Sequence, residues 1–404
     1  MVVRTPPSIS VVSKLKRFDY AIRNIVTEAR KVEASGLQVQ YLNIGDPILF
    51  GFETPRHLVE AVERAMHDGR NGYMPAAGVQ HAREAVAAEF ESRGVPMTPD
   101  RIVLTSGASE GIELVLRVLV DHGDEVLVPV PTYPFYTAVL GQLGARAAPY
   151  RTDPSRGWQP DLGHVQSLIG PRTRGLVVID PNNPTGAVYG PEVRRALLEL
   201  ADRHNFVLLS DEGYTDLAYD DRVPPIGKPN PDAPVISVAS LSKAWVAPGW
   251  RAGWLAVGAP GRLDAVLTAI KELADGRLCS NGPMQYAIAA ALTGDRSHQD
   301  IMRRQLRERA EVMTRRLNGI TGISCVPPQA AFYAMPKVDL PAGRTDEDFV
   351  LGLLRATGLL CVYGSGFGMV PEDGFFRIVF LATPSELNRF CDAIEAFTGD
   401  FLRS

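Results

Sequence analysis

The segment RGLVVIDPNNPTGAVYGPEVRRALLELADRHNFVLLSD, residues 174–211, predicts a strand, a proline-rich turn, a helix and a second strand. Both strand segments are short and apolar, and a helical stretch lies between them. The same alternation continues on either side, with RIVLT and DEVLVPV before this segment and PVISVAS and GWLAVG after it. Apolar strands that alternate with helices are typical of a mostly parallel sheet that is buried on both faces. The sequence therefore predicts an α/β fold with a central sheet flanked by helices.

The two ends of the chain have a different pattern. After about residue 296, DIMRRQLRERAEVMTRRLNGI predicts a long amphipathic helix, and AFYAMPKV, LLCVYGSGFG and FFRIVFL predict antiparallel strands of a smaller α+β unit. Near the N-terminus, TPPSIS predicts an extended or flexible arm. A helix is expected after it, with a suitable stop at Gly36 and one face formed by Ile22, Ile25, Val26 and Ala29.

Composition and charge narrow the functional classes. Of the 404 residues, 45% are hydrophobic and 22% are charged, which is typical of a globular protein with a large core. The formal charge of −4 gives no reason to expect nucleic acid or an anionic membrane as a partner. We find no membrane-length apolar run and no signal-peptide pattern, so we expect a cytoplasmic protein. The four cysteines and seven histidines have the spacing of neither a metal site nor a disulfide framework.

Residues that follow the predicted strands are the first candidates for a site, because ligands of open α/β sheets bind beyond the carboxyl ends of the strands. After RIVLT, Ser106, Gly107, Ala108 and Ser109 lead into a helix whose first N–H groups can hold an anion. A plain strand-to-helix turn is the alternative. The glycine spacing matches neither a dinucleotide fingerprint nor a nucleoside-triphosphate loop, so both of these sites are disfavoured.

Three further strand ends offer an aromatic ring, an amide and a carboxylate. Tyr133 follows DEVLVPV and can stack on a flat ring, although a core tyrosine is an equal alternative. Asn183 lies in PNNPTG, where two prolines and a glycine fix the turn that presents its amide. Asp211 follows FVLLS, with Tyr214 close behind it. A buried carboxylate needs donors or a cation, so Asp211 is either a helix cap or the partner of a cationic ligand.

The segment SLSKAWVAPGWRAGW, residues 240–254, adds hydroxyls, an amine and a guanidinium. Arg251 can bind a phosphate through two parallel hydrogen bonds, with Ser240 and Ser242 as further donors. Lys243 lies among small and apolar residues, and dry surroundings near another cation turn a lysine into a nucleophilic amine. A buried ion pair is the alternative. Together these groups fit an aromatic aldehyde with a phosphate arm and a ring nitrogen, which is pyridoxal 5′-phosphate.

The sequence resembles the fold-type-I, class I/II aminotransferases, and within them the alanine (glutamate–pyruvate) branch. The resemblance runs from about Tyr41 to the C-terminus. The segments that carry it are LNIGDPILFGFETP, LVPVPTYPFYTA, PRTRGLVVIDPNNPTGAVY, SLSKAWVAPGWRAGW, RLCSNGPMQYAI and FRIVFL. It implies a pyridoxal-phosphate fold with a large domain at residues 56–296. Residues 1–55 and 297–404 together would form a small domain that closes over the substrate.

The resemblance also implies a role for each candidate residue. Lys243 would form the Schiff base with the cofactor, Asp211 would pair with the pyridine nitrogen, and Tyr214 would bind the phenolic oxygen; these three are the implied catalytic residues. Arg377, with Gly45 and Asn183, would hold the α-carboxylate of the substrate. The implied cofactor-binding residues are Gly107, Ala108, Ser109, Tyr133, Asn183, Asp211, Tyr214, Ser240, Ser242, Lys243, Arg251 and Tyr73 of the partner subunit. A homodimer is therefore expected.

Two departures from the family pattern bear on specificity rather than on reaction type. Gly213 stands where a β-branched or larger residue is usual, and Ala330 stands where glycine is common. No second arginine is clearly placed for a side-chain carboxylate, with Arg277 as the candidate. We therefore expect ping-pong transfer between alanine, or another small neutral amino acid, and a 2-oxo acid such as 2-oxoglutarate or pyruvate. The alternatives are aspartate or aromatic specificity, a β-lyase, decarboxylase or oxidase of the same fold, and a regulatory module without turnover.

Overall fold

The computed structural model describes residues 25–403, which contain twelve α-helices and fifteen strands. The helices are α1 (Val26–Ala34), α2 (Arg56–His67), α3 (Gln80–Ser92), α4 (Gly107–Leu119), α5 (Pro134–Leu143), α6 (Leu162–Leu168), α7 (Pro191–His204), α8 (Asp264–Gly276), α9 (Gln285–Thr293), α10 (Ser297–Asn318), α11 (Asp346–Thr357) and α12 (Pro384–Phe401). The strands are β1 (Gln40–Tyr41), β2 (Ile102–Thr105), β3 (Glu125–Val130), β4 (Arg146–Asp153), β5 (Gln159–Pro160), β6 (Thr173–Ile179), β7 (Val207–Asp211), β8 (Val235–Ser240), β9 (Gly253–Val257), β10 (Ile323–Ser324), β11 (Tyr333–Ala334), β12 (Lys337–Val338), β13 (Leu359–Leu360), β14 (Val362–Tyr363) and β15 (Phe376–Val379).

The central sheet has the strand order β2-β9-β8-β7-β6-β3-β4-β5. Strand β3 pairs in parallel with both β4 and β6, and the pairs β6–β7 and β7–β8 are parallel as well. This arrangement confirms the predicted α/β class. Strand β9 is antiparallel to both β8 and β2, and β5 is antiparallel to β4. The sequence pattern did not predict these reversals, nor β4 and α6. The sheet is therefore mostly, but not entirely, parallel.

Alternate residues of β6 show why the central strands are apolar throughout. Leu176 and Val178 pack in a cluster with residues of α6 and α7 on one face of the sheet. Val177 and Ile179 pack in a second cluster with residues of α4, α5 and α8 on the other face. Successive side chains of a strand point to opposite faces, so helices on both faces require a continuous apolar run.

The smaller α+β unit predicted near the C-terminus is confirmed in its elements. Strands β11, β15 and β14 form an antiparallel sheet, and the long helix α10 extends over Ser297–Asn318. Strand β1 pairs in parallel with β13, so the first strand of the described chain joins the C-terminal part. This pairing brings the loop after β1 next to β15, which is the strand that carries Arg377.

The expected N-terminal helix is confirmed from Val26 onward as α1, with Ala29 buried. It ends at Ala34, and Gly36 follows with φ +95°, a backbone conformation that favours glycine. Ile22 and the TPPSIS segment lie outside the described residues. In the part of the chain that the structure covers, no helix is both long and apolar enough to cross a bilayer, and no group of side chains suits a metal ion.

Candidate active site

A cavity of about 540 Å³ lies where β6, β7 and β8 end. Three separate parts of the chain contribute to its wall: the loop after β1, the ends of the central strands, and the sheet that contains β11 and β15. Twelve of the predicted site residues line it, namely Gly45, Ala108, Ser109, Tyr133, Asn183, Asp211, Tyr214, Ser240, Ser242, Lys243, Arg251 and Arg377. Ten of these residues came from the strand ends, and Gly45 and Arg377 came from the family resemblance.

The order of strands explains why these residues meet. Strands β3, β6, β7 and β8 are consecutive neighbours in the sheet and run in the same direction. Their carboxyl ends therefore lie side by side, and they carry Tyr133, Asn183, Asp211 and Ser240 in that order. Helix α4 follows β2, which is separated from β8 by the antiparallel strand β9. The N-terminus of α4, which is the predicted anion site, therefore approaches the cavity from the β9 side of these strands.

Lys243 lies in the turn between β8 and β9 and is half-buried. Its Nζ donates to the Gly45 carbonyl at 2.8 Å and lies 5.7 Å from the centre of the Phe332 ring. The turn is held in place, because Val246 N–H donates to the Lys243 carbonyl at 3.1 Å and Thr54 Oγ1 donates to the Val246 carbonyl. The amine is thus presented into the cavity by a fixed backbone.

Asp211 is the last residue of β7 and is only 8% exposed. Its carboxylate accepts from Tyr136 Oη at 3.0 Å and from Gly213 N–H at 3.2 Å. The pKa of the Asp211 carboxyl is raised to about 6, mainly by burial and to a smaller extent by the charge of Glu212, while the two donors and the charge of Lys243 act in the opposite direction. The positive charge of Lys243 is the smallest of the effects named for this carboxylate. Its charge is therefore only partly compensated by the chain.

Glu212 points away from the cavity and has a cation of its own. It accepts from Ser237 Oγ at 2.9 Å and lies 3.6 Å from Arg93 Nη1. Burial lowers the pKa of Arg93, and the Glu212 charge opposes that effect. The two adjacent acids therefore have different environments: Glu212 is paired with Arg93, while Asp211 lines the cavity.

Another part of the cavity wall, around Arg251, is suited to an anion. Arg251 has φ +52° and its guanidinium donates to the Pro248 carbonyl at 3.1 Å and to the Ser106 carbonyl at 3.3 Å. Its Nη1 also lies 3.5 Å from Ser242 Oγ. The guanidinium covers Gly107, the first residue of α4, so closely that a Cβ there would lie 2.8 Å from Arg251 Cζ. A guanidinium and the free N–H groups of a helix N-terminus together form a phosphate-type site.

Arg377 is a second buried guanidinium, only 2% exposed. It donates to Asn183 Oδ1 at 3.1 Å and to the Asn43 carbonyl. Its Cζ lies 4.7 Å from the Tyr333 ring centre and 4.8 Å from that of Phe367. The planar group is held between two rings at the cavity wall, which suits the binding of a carboxylate.

Tyr214 completes the wall between these groups. Its hydroxyl lies 2.9 Å from the hydroxyl of Tyr333, and its ring meets those of Tyr333 and Phe332 edge to face. Burial raises the pKa of Tyr214 well above its ordinary value, and the neighbouring Tyr333 adds to the increase. The Tyr214 hydroxyl therefore stays protonated and can act as a hydrogen-bond donor.

The family model for aminotransferase class I and II matches residues 38–394. The chain belongs to the class I and II aminotransferases. It is 38% identical over 403 residues to an alanine aminotransferase of Mycobacterium tuberculosis, with 97% of this chain and 92% of the relative covered. It is 36% identical over 380 residues to the glutamate-pyruvate aminotransferase AlaA of Escherichia coli, with 91% and 93% covered. The solved structure of an alanine aminotransferase from Pyrococcus furiosus has a TM-score of 0.94 at 37% identity, covering 97% of this chain and 100% of that one.

The family assignment gives this aminotransferase its cofactor, pyridoxal 5′-phosphate, and its reaction, the transfer of an amino group between an amino acid and a 2-oxo acid. The fold is fold type I. The residues fit the cofactor: a lysine amine, a buried carboxylate with neutral hydrogen-bond donors and an anion site lie around one cavity. These are the groups needed by its aldehyde, its ring nitrogen and its phosphate.

Three sequence candidates lie outside the cavity wall of this aminotransferase. Gly107 lies beneath Arg251. Tyr73 is 86% exposed on the described chain. Arg277 pairs with Glu110 at 2.8 Å, so it is already occupied by an acid of the same chain.

The two departures from the family pattern have clear structural settings. Gly213 donates its N–H to Asp211, and a Cβ at this position would lie 3.2 Å from Asp211 Oδ1. A larger residue there would press on the carboxylate that faces the cavity. Ala330 is fully buried and donates its N–H to the Gly186 carbonyl at 2.9 Å, beneath the PNNPTG turn. Ala330 thus supports the turn from outside the cavity.

Sequence reasoning missed several residues of the site. Tyr136, Tyr333 and Asn43 make direct contacts with Asp211, Tyr214 and Arg377 respectively. The other lining residues that were not predicted are Ile44, Asp46, Ile112, Ile179, Pro248 and Gly249. Asn43 and Asp46 lie in LNIGDP, which was already part of the family resemblance. Nothing local in the sequence distinguishes Tyr136 or Tyr333 from core tyrosines.

Proposed function

We propose that this aminotransferase acts on alanine or another small neutral amino acid, with 2-oxoglutarate or pyruvate as the 2-oxo acid. The relatives named for alanine and for glutamate and pyruvate support this choice. The cavity supports it as well, because among its described lining residues only Arg251 and Arg377 carry a guanidinium. Arg251 belongs to the anion site near α4, which leaves Arg377 for the α-carboxylate. A side-chain carboxylate would find no further arginine in this wall.

In this proposal, different residues of the cavity wall bind different parts of the cofactor. Arg251 and the first turn of α4 bind the phosphate, and Tyr133 stacks on the ring. Tyr214 and Asn183 bind the phenolic oxygen, and Asp211 pairs with the ring nitrogen. The residues that bind the phosphate are Gly107, Ala108, Ser109, Ser240, Ser242 and Arg251. The observation that carries the assignment is the presence of the Lys243 amine and the Asp211 carboxylate in one cavity.

The bound cofactor supplies an aldehyde for the amino group and a protonated ring that takes up electrons from the substrate Cα. Asp211 keeps the proton on the ring nitrogen, because an ionised carboxylate stabilises a cation beside it. Lys243 Nζ accepts the proton from the substrate Cα and returns it as a general acid. Arg377, with Asn183 and Gly45, fixes the carboxylate so that this proton faces the amine. The second 2-oxo acid uses the same groups, which gives ping-pong kinetics.

We further propose a homodimer in which Tyr73 reaches the phosphate site of the partner subunit. Its 86% exposure supports this role, because the ring is accessible to a partner subunit. Leu49, at 68%, and Leu278, at 53%, are also exposed hydrophobic residues. Within each subunit we retain residues 56–296 as the large domain and residues 1–55 with 297–404 as the small one. Sedimentation at micromolar concentration tests the dimer, and a monomer with full activity would contradict it.

The test of the assignment is Lys243→Ala, with Lys271→Ala on α8 as the matched control. The variant should lose turnover and the visible absorbance of the bound cofactor, and borohydride should no longer attach the cofactor to the peptide that contains residue 243. The control should keep all three properties. Near-normal transamination by Lys243→Ala would refute the assignment.

A panel of amino acids tests the substrate. Each is mixed with the holoenzyme, and the change in cofactor absorbance reports the half-reaction, with product analysis for keto acid and ammonia. Alanine should react fastest among small neutral amino acids and yield keto acid without ammonia. A preference for aspartate or for aromatic amino acids would refute the proposed specificity, and ammonia or peroxide would refute simple transfer.

A further inference from the structure

Tyr333 contacts both halves of the proposed active site. It lies on β11, lines the cavity and is 2% exposed. Its hydroxyl lies 2.9 Å from that of Tyr214, and its ring lies 4.7 Å from Arg377 Cζ. Strand pairing explains the second contact. Tyr333 is opposite Val379 on β15, and Arg377 is two residues away on the same strand and therefore on the same face.

The position of Tyr333 is also linked to that of the lysine. A Cβ on Gly45 would overlap Tyr333 Oη and would lie 2.6 Å from Phe332 Cε2. The same Gly45 accepts the hydrogen bond from Lys243 Nζ at 2.8 Å. Residue 45 thus lacks a side chain where the Tyr333 hydroxyl is packed, and its carbonyl remains available to the amine. The Tyr333 hydroxyl is therefore closely packed at a defined position in the cavity wall.

A pair of tyrosine hydroxyls has two protons, and only one of them lies between the two oxygens. If Tyr214 donated to Tyr333, its proton could not reach another acceptor in the cavity. If Tyr333 donates to Tyr214, the Tyr214 proton is free to point into the cavity. The proposed function needs this second arrangement, because Tyr214 must donate to the phenolic oxygen of the cofactor.

We propose, building on the proposed function, that Tyr333 is a positioning residue with two separate parts. Its hydroxyl donates to Tyr214 and so directs the Tyr214 proton toward the cofactor oxygen. Its ring supports the guanidinium of Arg377 and so fixes the group that binds the substrate carboxylate. The hydroxyl acts on cofactor protonation, and the ring acts on substrate affinity.

The two parts can be separated by Tyr333→Phe and Tyr333→Leu. The first removes only the hydroxyl. Tyr214 remains as the donor to the cofactor oxygen, but it becomes a weaker donor, because successive hydrogen bonds strengthen one another by roughly 10–30%. The proton affinity of the cofactor oxygen therefore increases, and the midpoint pH of the visible absorbance should rise by roughly 0.2 to 0.5 units, less than in Tyr214→Phe. The KM for the amino acid should change less than threefold. The second variant also removes the ring, and its KM should rise about tenfold above that of Tyr333→Phe.

Spectral pH titration of four holoenzymes then tests the route of the effect: wild type, Tyr333→Phe, Tyr214→Phe and the double variant. If the Tyr333 hydroxyl acts through Tyr214, the double variant should have the same midpoint as Tyr214→Phe. The matched control is Tyr150→Phe, because the buried Tyr150 hydroxyl donates to the Val177 carbonyl at 2.8 Å away from the cavity. Its midpoint should equal that of the wild type.

Three results would overturn the inference. Tyr333→Phe could leave the midpoint unchanged, it could lower the midpoint because Tyr214 had been the donor to Tyr333, or it could raise the midpoint equally with and without Tyr214. A KM for Tyr333→Leu equal to that of Tyr333→Phe would overturn the role of the ring. A wild-type protein without a pH-dependent cofactor band would instead contradict the proposed function itself, so the two failures are distinguishable.

Discussion

Replacing Asp211 by asparagine tests whether the cavity is built for a cation that the chain itself does not provide. The carboxylate is buried at the end of β7, and its partners are the neutral donors Tyr136 and Gly213. Asparagine has the same shape and can keep both contacts, since its oxygen accepts from the backbone N–H and its NH₂ group donates to the tyrosine oxygen. The substitution therefore removes the charge and little else.

The size of the effect follows from the pKa. Burial raises the pKa of the Asp211 carboxyl from 3.8 to about 6. This difference of about 2, at about 1.4 kcal/mol each, corresponds to about 3 kcal/mol. Because the folded protein holds this proton more tightly than the unfolded chain, the free energy of unfolding falls as the pH rises from about 4 to 6. At pH 8 the apoprotein with Asp211 should therefore be about 3 kcal/mol less stable than Asp211→Asn.

Urea unfolding of the apoproteins at one protein concentration measures the difference. Asp211→Asn should be more stable than the wild type at pH 8, and the difference should disappear near pH 4. Added pyridoxal 5′-phosphate should stabilise the wild type far more than the variant, because the variant lacks the partner for the ring nitrogen. Asp232→Asn, at an exposed loop position, is the control and should change stability by less than about 0.5 kcal/mol. Equal stabilities at pH 8, or a difference that does not depend on pH, would refute the reasoning.

Three other substitutions test separate parts of the site. Gly45→Ala should lower kcat/KM at least tenfold, because the new methyl group would overlap the Tyr333 hydroxyl; steady-state kinetics measure this. Arg377→Ala should raise the substrate KM about 100-fold, since two charge-assisted hydrogen bonds are lost, while equilibrium dialysis should find cofactor affinity within a few-fold of wild type. Arg93→Met should lower the free energy of unfolding by about 3 kcal/mol in urea, because Glu212 then stays buried without its cation.

Each of these expectations has a result that contradicts it. A fully active Gly45→Ala enzyme would mean that the wall around residue 45 yields easily. An unchanged substrate KM for Arg377→Ala would exclude this residue from carboxylate binding. Wild-type stability of Arg93→Met would mean that Glu212 is buried at no cost, or that another group replaces the lost cation.

Short-range patterns in the sequence were enough to predict the α/β class and ten of the 21 residues that line the cavity. Strand–helix alternation reflects burial on both faces of the sheet, and this burial leaves a local signature in every strand. The ends of parallel strands gather at one edge, so reading the residue after each strand found Asp211, Asn183 and Lys243 without knowledge of the sheet order. The family motifs added Arg377, which no strand-end argument had reached.

Tertiary structure alone decided which side chains support these groups. Tyr136 bonds Asp211 across 75 positions of sequence, and Tyr333 bonds Tyr214 across 119. Such contacts depend on how the helices and the second sheet pack, and both tyrosines have the apolar neighbours of ordinary core residues. The same holds for Arg277, which the sequence offered for substrate binding and the fold pairs with Glu110. The chemistry of each side chain, which the sequence states directly, determines the interactions that it can make. The packing of distant segments determines which partner it contacts.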